Sequence, residues 1–146
     1  MRNTLTLGAA LALSLTSLSV IGDQKAFDAS KSTVLTEEDK KFNVVMEPIS
    51  FADGYGSRET GPHGTFGQFP ANFITPNHTH SNSYHAIVLK GEMINPFDGE
   101  KSPPVMGPGS HWFVAAGEAH TTGCVSDVPC EFFMYSDKGF DFAPVE

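Results

Sequence analysis

Asn77-His78-Thr79-His80-Ser81-Asn82-Ser83-Tyr84-His85-Ala86-Ile87-Val88-Leu89-Lys90-Gly91 is the stretch from which the rest of the chain is read. His78 and His80 are two positions apart, so on an extended strand both point to one face. His80 and His85 are separated by an odd offset, which would put them on opposite faces of one straight strand. Ser81-Asn82-Ser83 supplies turn chemistry between them. The expectation is a hairpin or tight corner, with His78 and His80 closing one strand and His85 opening the next. Three imidazoles brought together in this way invite a metal ion, because imidazole is the commonest metal-ligating side chain and suits Zn, Cu, Fe and Ni. Three polar residues in an exposed loop would explain one or two of these histidines. They explain less well a His-x-His pair followed by a strand that carries a third.

The 146 residues are enough for one domain with a sizeable core. A hydrophobic fraction of 40% with 12 Phe excludes a disordered chain. The formal charge of −8 and the absence of a basic run argue against nucleic acid or an anionic membrane as partner. Residues 1–22 differ from the rest. Arg2 is followed by an uncharged, apolar or small stretch from Leu5 to Ile21, and Val20-Ile21-Gly22 offers a cleavage site. This reads as a signal peptide cut after Gly22, which places the mature protein in the periplasm or outside the cell, with no membrane contact after cleavage. Cleavage leaves eight basic and 17 acidic residues, a net −9. Cys124 and Cys130 flank an Asp- and Pro-containing turn, and an oxidising compartment favours a disulfide between them.

Residues 23–41 form a polar N-terminal extension, with one helical turn expected from Thr36 as its cap. Residues 42–146 form the folded domain. Strands are expected over Phe42–Ile49, Thr65–Phe73, Tyr84–Leu89, Glu92–Asn95, Ser110–Ala115, His120–Cys124 and Glu131–Ser136. On Tyr84–Leu89, His85, Ile87 and Leu89 share one face and Tyr84, Ala86 and Val88 the other, both apolar enough to pack. Phe51–Gly64 and Pro96–Pro108 read as loops, and the tail after Asp137 as packed coil. Short strands punctuated by Gly and Pro, with no amphipathic helix, mean an all-β sandwich or barrel.

These residues resemble the cupin superfamily, the double-stranded β-helix or jelly-roll barrel. His78 and His80 fit the His-x-His of the first cupin motif, and Gly91 closes that motif one residue early. His85 stands where the motif has Glu, and Asn72 where it has Gly. Asn is the next most tolerant residue of left-handed backbone angles. In the second motif Gly109, Gly117 and His120 fall on the pattern, while Ala115 replaces Pro and Cys124 replaces Asn. A looser similarity, carried by Gly61-Pro62-His63-Gly64-Thr65 and Ala116-Gly117-Glu118-Ala119-His120, is to a poorly characterised bacterial group related to the cupin half of ChrR-type anti-sigma factors. The cupin resemblance implies that His120 joins His78, His80 and His85 at one divalent transition metal (Zn, Fe, Cu or Ni) inside the barrel. Four neutral imidazoles would leave the ion near +2, a stronger Lewis acid than a three-His, one-Glu site provides. Were His85 to turn aside, the three-histidine set would resemble that of cupin dioxygenases such as those cleaving diketones. The resemblance also raises a homodimer, common among cupins.

His63, Tyr84 and Glu92 are candidate acid/base groups, each with a plainer alternative: a solvated loop histidine, a packing tyrosine and a solvated glutamate. His111 reads as a strand-edge residue, and Phe66, Phe69, Phe73, Phe113, Phe132 and Phe133 as core or pocket wall. No Ser-His-Asp or Cys-His arrangement suggests a nucleophile, and no Gly loop suggests phosphate. Besides a structural cupin whose metal only staples the barrel, two functions follow. One is a metal-dependent enzyme, an oxygenase or a lyase or hydrolase, acting on a small molecule. The other is a non-catalytic protein that binds a metal or small ligand.

Overall fold

The computed structural model describes Asp28 and residues 30–145, so the signal peptide expected over residues 1–22 lies outside the described residues. Pro48 splits the first apolar run. Instead of one strand, the chain makes β1 (Asn43–Met46) and β2 (Ile49–Gly56), paired antiparallel across a cis Glu47-Pro48 bond. The stretch expected as a Gly-rich loop from Phe51 is therefore mostly strand, and the loop proper is confined to Ser57–Pro62. Asp and Gly are poor strand formers in isolation. Here β3 (His63–Phe69) pairs along β2 and supplies the hydrogen bonds, with a register shift at Asp53/Tyr55 that absorbs the irregular residues.

The remaining strands are β4 (His78–Thr79), β5 (Tyr84–Lys90), β6 (Met93–Ile94), β7 (His111–Val114), β8 (Gly123–Cys124), β9 (Cys130–Ser136) and β10 (Ala143–Pro144). One six-stranded sheet runs β1-β2-β3-β9-β5-β7. The pairs β10-β4 and β6-β8 form the opposite layer. Single bridges from Ile74 to Gly123, from His78 to His120 and from Phe97 to His120 join these short pieces. Asn72 adopts the left-handed conformation, φ 59°, that its place in the motif demands.

The core lies between the layers. Val88, Met93, Val114 and Met134 are fully buried, and Phe132 lies across the inner face at its register partner Gly67. A Cβ at Gly67 would stand 2.3 Å from Phe132 Cζ, so that ring can lie flat only over glycine. On β5, Tyr84, Ala86 and Val88 face in. Their alternates His85, Ile87 and Leu89 are exposed, as is Phe113 on β7, so the outer face is not the packed layer expected from its composition. The disulfide between Cys124 and Cys130 is formed, Cα–Cα 5.7 Å, and it ties β8 of one layer to β9 of the other.

A single 3-10 turn, Glu37–Asp39, follows Thr36, and the Asp39 carboxylate accepts the Thr36 N–H at 3.0 Å. This segment sets Lys40 over the outward side of β9. There Lys40 pairs with Glu131, a carboxylate only 2% exposed, and its ammonium sits 4.3 Å from the Phe66 ring centre.

Candidate metal centre

His78 and His80 lie at and just beyond β4, and His120 lies on the segment beside it. His78 N–H donates to the His120 carbonyl at 2.9 Å, and His120 N–H returns to the His78 carbonyl at 3.0 Å. Gly117 N–H donates to the His80 carbonyl at 2.8 Å. The two halves of the motif are thus adjacent extended segments, and backbone pairing brings their imidazoles together. One ring nitrogen of each histidine lies within 4.8 Å of the others, and all three side chains are buried.

The outer nitrogens fix the tautomers. His78 Nδ1–H donates to the Pro76 carbonyl at 2.8 Å and His120 Nδ1–H to the Glu118 carbonyl at 3.0 Å. His80 Nδ1–H donates to the Asp141 carbonyl. Each ring therefore turns an Nε2 lone pair inward, the arrangement by which metal-binding histidines are oriented. His80 Nε2 is buried without a hydrogen-bond partner. Burial holds His78 and His80 well below the ordinary histidine range, to about 4, and lowers His120 too. The rings are neutral at ordinary pH and ready to ligate. Three converging imidazoles with no carboxylate among them fit a divalent transition metal and not a hard ion such as Mg or Ca.

The segment after β9, expected as coil, makes much of this site. Phe140 stacks on His80 at 4.3 Å between ring centres, and Phe142 on His78 at 4.3 Å. Asp141 between them supplies the His80 acceptor, and β10 pairs with β4. No spacing rule points to these residues, because their partners lie some sixty positions earlier; the only signal is three aromatic or acidic residues in a glycine- and proline-containing segment.

Beside the histidines is a cavity of about 170 Å³. Its walls are mostly apolar and include Phe51, Phe69, Trp112 and Phe132; Thr75, Tyr84 and Arg58 add polar groups. Trp112 Nε1–H donates to Tyr84 Oη at 3.3 Å, and Tyr84 Oη stands 3.3 Å from His120 Nε2. Burial pushes the Tyr84 hydroxyl up to about 12, so it carries its proton.

The other sequence candidates fall elsewhere. His85, counted with the metal ligands from the motif alignment, is on the exposed face of β5, its Nδ1 3.0 Å from His111 Nε2 and its ring against Phe113. The alternation of a strand carries it away from the other three, since Tyr84 next to it faces in. Glu92 is exposed in the turn before β6. His63 is fully buried on the inner face of β3, where Nδ1 meets Thr65 Oγ1 at 2.9 Å and Nε2 has no partner.

Residues 36–146 match the family model described as a domain of unknown function, DUF4437. The chain belongs to the DUF4437 family. No curated protein matches this DUF4437 chain in sequence. Among solved structures it is similar to the polyketide cyclase RemF from Streptomyces resistomycificus, at 21% identity and a TM-score of 0.65, covering 80% of this chain and 87% of that one. It is also similar to an RmlC-like cupin from Shewanella frigidimarina (17% identity, TM-score 0.58, 73% and 92% covered). A third is the DMSP lyase DddQ from Ruegeria pomeroyi (20%, 0.58, 73% and 60%). The DUF4437 domain thus has the cupin fold, all-β, as its motifs implied.

Proposed function

We propose that this DUF4437 protein is a metal-dependent enzyme acting on a small molecule, with one divalent transition metal held by His78, His80 and His120. The observation that carries the reading is the set of three Nδ1–H groups tied to backbone carbonyls, leaving three Nε2 lone pairs aimed together beside an apolar cavity. Three protein ligands leave coordination positions open, as catalytic sites do and closed structural sites do not. Such an ion supplies Lewis acidity and, if iron or copper, oxygen chemistry. The chain's own residues supply the rest. Trp112, Phe69 and Phe132 give the cavity apolar walls, and Tyr84 Oη holds a proton within hydrogen-bond reach of the histidine cluster.

Export belongs to the same reading: residues 1–22 are removed, the extension 23–41 precedes the barrel, and a disulfide fits an extracellular protein. Among the described residues no helix is long and apolar enough to cross a membrane.

The test is elemental analysis of untagged mature protein beside a His78→Ala/His120→Ala variant. About one Fe, Cu, Zn or Ni per wild-type chain, lost in the variant, is the expected result. No stoichiometric metal, even after these ions are added back, sinks the proposal. Cobalt substitution then separates enzyme from binder. A visible spectrum that shifts with azide shows an open position, whereas an unmoved spectrum shows a closed site and favours a non-catalytic role.

A further inference from the structure

Among the described residues, Arg58 is the only arginine or lysine lining the cavity beside the histidines. It sits in the Ser57–Gly61 turn, and its carbonyl accepts Phe140 N–H at 2.7 Å, so the segment that orders His80 also anchors Arg58. The guanidinium carbon lies 5.0 Å from the Phe51 ring centre. Its Nε is buried and has no hydrogen-bond partner, and no carboxylate of a described residue pairs with it. The one carboxylate in the cavity wall, Asp141, is already engaged by the Ser81 N–H at 2.7 Å and the Ser81 hydroxyl. A protein with a net charge of −8 therefore keeps a half-buried arginine, its Nε buried and no described carboxylate paired with it, at the edge of an apolar cavity.

A buried donor without an acceptor is costly, and a guanidinium presents a rigid fork that matches a carboxylate in two parallel hydrogen bonds. The cavity volume of about 170 Å³ is close to the roughly 150 Å³ of an engineered apolar cavity that takes benzene. We propose that the cavity takes a small carboxylate with an apolar body the size of a single ring, its carboxylate on Arg58 and its body among Phe51, Phe69, Trp112 and Phe132. What the far end of the molecule meets rests on the metal reading above; the anion anchor does not, and it is measured without metal.

The probes are benzoate and its neutral analogue benzamide, titrated into the metal-free full chain and followed by the emission of Trp112, the single tryptophan. Charged hydrogen bonds of ordinary strength predict benzoate binding about tenfold or more tighter than benzamide. Arg58→Gln brings the ratio to about one. Arg58→Met, which keeps a stem against Phe51 and drops the charge, is the second variant and reads the same way if the first does not fold. A ratio unchanged by both substitutions, or no saturable benzoate binding to the wild type, overturns the proposal. Metal content, measured on each preparation before the metal is stripped for the titration, reads the other proposal separately. Metal without benzoate preference removes only the anchor, and benzoate preference without metal removes only the metal centre.

Discussion

Three backbone carbonyls decide what the three imidazoles can do. Pro76, Asp141 and Glu118 each take one N–H, and the opposite nitrogen of each ring is left with its lone pair. His85 has no such acceptor; its Nδ1 meets another imidazole on the exposed face. The two classes predict different outcomes. His80→Ala loses metal, whereas His85→Ala retains it at wild-type stoichiometry, both read by elemental analysis. Tyr84→Phe retains metal but strands the Trp112 Nε1–H in the cavity wall, lowering unfolding free energy by about 1–2 kcal/mol in urea titrations. At this scale the sequence was informative wherever chemistry and period agreed. His-x-His put two imidazoles on one face, and Asn72 declared its left-handed backbone. His85 aligns with the Glu of the motif, yet strand alternation sets it on the face opposite Tyr84, Ala86 and Val88. His63 reads as a solvated loop residue because glycines flank it in the sequence, whereas its burial is set by the pairing of β3 with β2 and β9.

Two elements that the sequence showed only as polar extension and coil hold the site and the sheet in place. The run from Gly139 to Pro144 stacks two phenylalanines on two histidines and pairs with β4. Phe140→Ala/Phe142→Ala keeps all three ligands, yet weakens metal affinity about 10–100-fold in chelator competition, because the orienting shell is lost. At the other side, Lys40 neutralises Glu131 across the outer face, with Lys90 and Gln68 at 3.3 Å as weaker partners. Lys40→Met leaves that buried carboxylate undercompensated and costs about 2 kcal/mol in denaturant midpoint experiments, and adding Glu131→Leu recovers most of it. The period-2 strands were legible because their pattern is local. The roles of Lys40 and of residues 140–142 were not, since each is defined by partners far away in the chain.

For the molecule as a whole, acid should act through groups buried in one protonation state. Burial, with Arg58 nearby, pushes His63 down to about 4, while the unfolded chain takes up that proton near 6.5. Between these values the unfolded state binds more protons, so stability falls as pH falls, by up to about 1.4 kcal/mol per pH unit for this group. Burial would raise Glu131, but hydrogen bonds from Lys40, Gln68 and Lys90 outweigh it and leave it lowered. Its contribution is present above its unfolded value, near 4.5, and is lost as pH falls through the lower folded one. Thermal melts of metal-free protein from pH 7 to 4 should show this decline, and His63→Gln should lessen its slope between pH 6.5 and 4 by one group's share, with His78, His80 and His120 supplying the rest. The residues that complete the site also set a timetable for biosynthesis. The acceptor for His80 is made 61 residues after the histidine itself. A chain paused after β9 already carries all three imidazoles and most of the barrel, but not the Asp141 carbonyl or the two covering rings. The full set of aimed nitrogens is therefore among the last things a nascent polypeptide completes: His78 and His120 find their acceptors two residues away, while His80 waits for Asp141.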